Sequence, residues 1–269
     1  MDRFKFSFII PTYNCERKIV DCITSIFQQE YKDFEIIVQD GGSTDSTVEQ
    51  VNELKKSHPE VSMIIRSEKD DGIYDAMNKA VNLSSGTWLY FLGSDDSLYD
   101  EKVLGKVELF SNKSPHFEMV YGNVYRIHSR EIHFGKFDFE KLLIHNICHQ
   151  SMFLKKSLFL LYGPFDLRYA ACADWDFNLK LYKSKVTIGY LPIIVAYYNE
   201  QGFSNTFRDK LFFEKLTEER KRYLSKWDNY IKSIFKRVRN RAAKQLPFKL
   251  FGDKLVQSLF ILFLYNLMH

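Results

Sequence analysis

Residues 1–100 alternate between apolar runs of strand length and segments of helical period, and that alternation limits the fold more than any other feature of the chain. Phe6–Ile10 is a continuous apolar run ended by Pro11, and the segment after it sets Ile19, Ile23, Ile26 and Phe27 on one helical face. Phe34–Gln39 predicts a second strand. In the helix that follows, Ser46 and Glu49 stand in capping-box spacing, with Val48, Val51 and Leu54 turned inward. Val61–Arg66, Tyr74–Leu83 and Thr87–Leu92 continue as strand, helix and strand. Strands separated by helices of this length imply parallel βαβ units, hence an α/β fold with a mainly parallel open sheet flanked by helices.

In such a sheet ligands bind beyond the carboxyl ends of the strands. The unusual residues lie there: Pro11-Thr12-Tyr13-Asn14, Asp40-Gly41-Gly42-Ser43, Asp70-Asp71-Gly72 and Gly93-Ser94-Asp95-Asp96. Any one of them is an ordinary turn, since Gly, Asp and Ser favour turns for backbone reasons. Four in succession on one edge predict a polar, acidic binding site. No G-x-G-x-x-G follows the first strand, which argues against a dinucleotide-dependent dehydrogenase. The loop after that strand also lacks the glycine-rich basic sequence that a nucleotidyltransferase would use.

The runs Phe8-Ile9-Ile10-Pro11-Thr12-Tyr13-Asn14, Asp40-Gly41-Gly42-Ser43-Thr44-Asp45, Asp71-Gly72-Ile73-Tyr74-Asp75-Ala76-Met77-Asn78-Lys79 and Phe91-Leu92-Gly93-Ser94-Asp95-Asp96 together resemble the family 2 glycosyltransferases, inverting enzymes of the GT-A fold. His149-Gln150-Ser151 and Ala173-Asp174-Trp175-Asp176-Phe177 resemble the acceptor-half motifs of the family's bacterial surface-polysaccharide branch. The resemblance covers residues 4–205. It implies a GT-A domain over 1–205, with a nucleotide-binding half over about 1–100 and an acceptor half over about 101–205, and leaves 206–269 as a helical C-terminal region. The implied activity is metal-dependent inverting transfer of a sugar from a nucleotide-sugar to a glycan or polyprenyl-linked oligosaccharide.

The same resemblance assigns roles. Tyr13 lies against the base, the backbone of Pro11, Thr12 and Asn14 passes close to it, Asp40 bonds the base or ribose, Gly42 and Ser94 border the nucleotide, and Asp71 closes the pocket. A carboxylate only accepts, so Asp40 can read an imino N–H or ribose hydroxyls. Uracil has that donor, making UDP-sugars the leading donors; guanine and thymine present one too. A diphosphate needs a divalent cation, Mn²⁺ or Mg²⁺, shared with carboxylates. Asp95 fits as direct ligand and Asp96 as support, although Gly93 occupies the first position of the family's Asp-x-Asp-Asp; the other reading of this loop is a cap on the helix near Asp100. Asp174 takes the place of the general base, with Ala173 where the family has Glu. Asp174 and Asp176 also suit a helix N-terminus. His149 is a third metal ligand, an acceptor contact or a core histidine, and Gln150, Trp175 and Asp176 accompany it in the acceptor half. With Gly93 and Ala173 replacing carboxylates, a non-catalytic nucleotide-sugar-binding scaffold subunit is the alternative function.

Composition adds a division within the chain. Residues 208–269 hold 15 Lys and Arg against 6 Asp and Glu, a net +9, whereas residues 1–207 carry a net −5. Ile231, Ile234, Phe235, Val238 and Leu246 form an apolar stripe between Lys232, Lys236, Arg237, Arg239, Arg241 and Lys244, and Leu255–Leu267 is a 13-residue apolar run, short of the roughly 20 residues that span a bilayer. This predicts binding of 208–269 to an anionic membrane surface, or else packing on the catalytic domain, with no nucleic-acid partner. Cys15, Cys22, Cys148 and Cys172 form no C-x-x-C pair and read as reduced thiols. No leader is recognisable at the start, so the predicted location is cytoplasmic, peripheral on the inner face of the membrane. Hydrophobic content of 45% is ordinary for a globular protein, while 24 Phe and 16 Tyr suit either a phenylalanine-rich core or carbohydrate-facing surfaces.

Overall fold

A computed structural model describes residues 3–133, 135–202 and 207–242, with side chains of the last helix as far as Lys226. The chain divides into two units, Met1–Phe212 and Phe213–His269. In the first, four parallel strands lie in the order β3 (Ser62–Ser67), β2 (Phe34–Asp40), β1 (Phe4–Thr12), β4 (Gly86–Phe91). The helices between them are α1 (Ile19–Phe27), α2 (Thr47–Ser57) and α3 (Ile73–Leu83).

Two local expectations are corrected. Strand β1 runs through Pro11 to Thr12, because its pairing with β4 has already ended at Ile9↔Phe91 and only the β2 side continues; a residue without an N–H is tolerated there. Ser46 makes no side-chain cap on α2. Asp45 takes that role, its Oδ1 accepting from Thr47 N at 3.0 Å, and the Ser46 N–H donates to Glu16 Oε2 at 3.1 Å.

Beyond β4 the sheet is mixed rather than mainly parallel. Strand β8 (Met152–Lys155) pairs antiparallel with β4 and with β6 (Met119–Arg126); β9 (Ile188–Tyr198) runs parallel to β6, and the two-residue β5 (Ser97–Leu98) closes that edge. A short β7 (Glu131–His133) folds back on β6. Helix α4 (Val103–Lys113) follows β5, and α5 (Phe139–Leu142), α6 (Lys156–Tyr162) and α7 (Ala173–Lys183) complete this mixed half before α8 (Lys210–Ala242). This antiparallel insertion decides where the site forms. The start of β8 comes to the carboxyl end of β4, and the ends of β6 and β9 reach the same edge.

Alternating β1 residues serve both faces of the sheet. Phe6, Phe8 and Ile10 pack with Ile23, Ile26, Tyr90 and Phe153 in the larger cluster. On the other face Phe91 meets Phe165 at 5.2 Å, and Phe165 meets Phe159 at 5.1 Å and Phe177 at 5.5 Å, so rings from β4, α6 and α7 lock the two halves together. Among the described residues ten phenylalanines are buried, each such ring contributing about 1.5–3 kcal/mol. All four cysteines are free thiols. No helix among the described residues is long and apolar enough to cross a membrane.

Gly86 stands where β4 starts against β1. A Cβ there would lie 2.5 Å from Ser7 Oγ and 2.8 Å from Ser7 N and Phe6 C. Gly86→Ala is expected to lower stability by about 1–3 kcal/mol through overpacking, read as a shift in the urea unfolding midpoint; an unchanged midpoint would contradict this close packing of β1 and β4.

Candidate active site

Three loops at the carboxyl edge of the parallel strands are tied to one another by their own side chains. Asn14 sits at φ 48° after β1, where its side-chain oxygen accepts from Thr44 N at 2.9 Å and its N–H donates to Ser43 Oγ at 2.8 Å. Asp40 is fully buried: Oδ2 accepts from Gly42 N at 3.0 Å, Ser43 N at 2.9 Å and Ser67 Oγ at 2.6 Å, and Oδ1 accepts from Ser43 Oγ. Its carboxylate is thus turned into its own loop rather than outward to a base or ribose. Gly42 supplies φ 86° for the turn. Gly41 leaves room for Asp70, whose Oδ2 would be 2.6 Å from a Cβ at that position. Tyr13 is 63% exposed, Thr12 is buried beneath it, and Asp71 is exposed with no side-chain partner among the described residues.

The fourth loop carries the acidic pair. Asp96 is 3% exposed and held from two distant segments, with Gln150 Nε2 donating to Oδ2 at 2.8 Å and Asn199 N to Oδ1 at 2.7 Å. Burial foremost, and then the neighbouring Asp95 charge, push its carboxyl up to about 7. Asp95 is more open: Asn199 Nδ2 donates to Oδ2 at 2.8 Å, and Oδ1 has no partner among the described residues. Ser94 presents its carbonyl to Cys15 Sγ at 3.5 Å. Gly93 has a physical reason for lacking the family's carboxylate, since a Cβ there would fall 2.5 Å from Asp96 Oδ2 and 3.2 Å from Asp95 Oδ1.

Opposite this loop, α7 begins with Ala173 and Asp174. Asp174 is 5% exposed and accepts at both oxygens: Tyr74 Oη at 2.7 Å and Trp175 N at 2.8 Å on Oδ1, Asn146 Nδ2 at 2.8 Å and His149 Nδ1 at 3.4 Å on Oδ2. Burial and the Asp174 carboxylate raise the Tyr74 phenol well above its usual value, so it remains a donor. Ala173 is buried at 1% exposure, where a glutamate would have to bury a charge. One cavity is lined by Tyr74, Gly93, Asp95, Asp96, His149 and Asn199. Of the expected acceptor residues, His149 and Gln150 reach it. Trp175 does not line it: Nε1 donates to Leu142 O at 2.7 Å and the ring packs 5.2 Å from Phe212. Asp176 is buried and anchored to Lys180 at 3.1 Å.

Asn199, Tyr74 and Asn146 are site residues that sequence reasoning missed. Asn199 directly follows β9, so the strand-end rule applied to the second half would have found it. Asn146 has no local signal. The donor set fits a divalent cation at Asp95, because Mg²⁺-type ions take one or two carboxylates together with phosphate oxygens and water. Among the described residues no three His, Cys, Asp or Glu side chains converge to hold a metal unaided.

The glycosyl transferase family 2 profile matches residues 7–161. The chain belongs to that family and is a glycosyltransferase. It is 42% identical over 214 residues to a PGL/p-HBAD biosynthesis glycosyltransferase of Mycobacterium tuberculosis, covering 78% of this chain and 83% of that protein. Chondroitin synthase of Escherichia coli is 35% identical over 181 residues, 65% of this chain and 26% of that protein. Among solved structures, Staphylococcus aureus TarS in complex with UDP-GlcNAc superposes with a TM-score of 0.64 at 21% identity, covering 76% of this chain and 61% of that one. Pyrobaculum calidifontis mannosyltransferase PcManGT with GDP-Man and Mn²⁺ gives 0.60 at 20% identity, over 73% and 57%. These two show the fold, and this chain spans less than two thirds of either.

The raised Asp96 group has a consequence for stability. Unfolded, it titrates near 3.8; folded, near 7, so the native state binds the extra proton and stability falls as pH rises between these values. Urea unfolding of metal-free protein should show this loss from pH 4 to 7, and Asp96→Asn should flatten it. An equal slope in the variant would remove Asp96 as its source.

Proposed function

We propose that the enzyme transfers a sugar from a UDP-sugar, with inversion at the anomeric carbon, to a hydroxyl of a glycan or polyprenyl-linked acceptor in surface-polysaccharide assembly. The observation that carries the reading is the open Oδ1 of Asp95 in the cavity shared with His149, with Asp174 hydrogen-bonded behind that histidine. The exposed Tyr13 ring offers a stacking face for the base. Asp71 offers a carboxylate acceptor that suits the uracil imino N–H. With Asp40 committed to its loop, Gly41–Ser43 contribute backbone rather than side chains to the donor pocket.

Asp95, supported by Asp96, would hold Mn²⁺ or Mg²⁺, which when bound neutralises the diphosphate. The acceptor oxygen bonds to C1 as the bond from C1 to the diphosphate oxygen breaks. The electron pair departs with the nucleoside diphosphate, and the hydroxyl proton passes to the Asp174–His149 pair, with Asp174 in the place of the family's general base. Buried, aligned groups of this kind typically contribute 10²–10⁴-fold.

Asp95→Ala should reduce UDP affinity in Mn²⁺ to the level seen with EDTA, by calorimetry, while Asp96→Ala is milder because that group positions rather than binds. Equal wild-type affinity with EDTA and Mn²⁺ would sink the metal assignment. Asp174→Asn should lower turnover by roughly 10²–10⁴ with donor affinity intact.

The charge of the C-terminal region supports a peripheral location at the membrane. The expected stripe Ile231, Ile234, Phe235 and Val238 falls on α8 beyond its described side chains, and Leu246 and Leu255–Leu267 lie outside the described residues. The net +9 of 208–269 supports attachment to an anionic membrane at the cytoplasmic face. Full-length protein should sediment with anionic but not neutral vesicles at low salt, and truncation after Leu224 should release it. Full-length protein remaining in the supernatant with both would contradict the attachment.

A further inference from the structure

The general base expected at position 174 stands one hydrogen bond behind the cavity, in contact with Tyr74 and His149, which line it. Asp174 does not line the cavity, and both of its oxygens are already occupied. Every donor on it stabilises the anion and weakens it as a proton acceptor. His149 stands between. It lines the cavity, it is 8% exposed, and its Nδ1 lies 3.4 Å from Asp174 Oδ2.

That contact fixes the tautomer. A carboxylate only accepts, so Nδ1 carries the proton of the neutral imidazole and the lone pair is on Nε2. Nε2 is buried and has no hydrogen-bond partner among the described residues. An unpaired buried acceptor is costly unless something that donates comes to it. A hydroxyl is a class of donor that the cavity of a glycosyltransferase receives.

We propose that His149 is the group that accepts the acceptor's hydroxyl proton, with Asp174 as the positioning residue that holds its Nδ1–H. This deepens, and rests on, the glycosyltransferase reading. As the acceptor oxygen bonds to C1, its proton moves to Nε2; the imidazolium forms beside the Asp174 carboxylate, and the leaving electron pair stays on the diphosphate. The imidazolium then returns its proton to water. Tyr74 and Asn146 complete the device by fixing Asp174 on its other lone pairs, and Gln150, next in the chain, binds Asp96. One short 3-10 turn, His149–Ser151, thereby serves both the proton and the acidic loop.

The test is donor hydrolysis and transfer by full-length protein with UDP-glucose, UDP-GlcNAc and GDP-mannose in Mn²⁺. Wild type should turn over at least one donor; failure with all of them overturns the functional reading and this proposal with it. With an active wild type, His149→Gln should lose about 10²–10⁴ in kcat while UDP affinity in Mn²⁺ stays within about twofold. His149→Ala should regain about tenfold or more of its lost rate on adding free imidazole, as expected where a positioned base is missing. His149→Gln with near-wild-type kcat beside a crippled Asp174→Asn would show that Asp174 takes the proton directly. Loss of UDP affinity in His149→Gln, or no rescue by imidazole, would assign the histidine to structure or donor binding and overturn the proposal.

Discussion

The site depends on one buried carboxylate. Asp96 sits in the loop between β4 and β5, 3% exposed, and a charge there would be costly without partners. Its partners come from positions 150 and 199, more than fifty residues away in either case, so satisfying Asp96 draws the antiparallel half onto the parallel half. The same two residues set the rest of the site. Asn199 also holds Asp95 and leaves one oxygen open, and Gln150 fixes the turn that carries His149.

Apolar packing makes this arrangement rigid. Tyr90 stacks on Phe153 at 4.4 Å across the β4–β8 pair, and its hydroxyl donates to Gln150 O at 2.7 Å, so the core ends in a polar contact directly beneath the acidic loop. On the other face the Phe91, Phe159, Phe165 and Phe177 rings fix the start of α7 relative to β4. A phenylalanine-rich seam with its polar groups gathered at one edge brings Asp95 and His149, with Asp174 behind the histidine, to a single cavity.

The parallel half was legible because its signals are local. Each strand is a short apolar run, each site loop follows at once, and Asp95 and Asp96 could be placed by the end of Thr87–Leu92 alone. The acceptor half was less legible because β8 enters between β4 and β6, a pairing across about sixty residues that no periodicity reveals. His149 could be found, but not its link to Asp174; Asn146 and Asn199 became visible only once that pairing was known. Asp40 and Ser46 show a second limit. An aspartate at a strand end can serve a ligand or its own turn, and a serine before a helix can yield its cap to a neighbour, with the same sequence in either case.

Two halves of the chain converge on one candidate transfer site at the carboxyl edge of β4, where Asp95 is the proposed metal ligand. Crystals grown with UDP and Mn²⁺, measured at the manganese absorption edge, test it most directly. An anomalous peak is expected at coordination distance from Asp95, with the diphosphate against it and His149 across the cavity. A nucleotide bound without such a peak, or a peak away from Asp95, would contradict it.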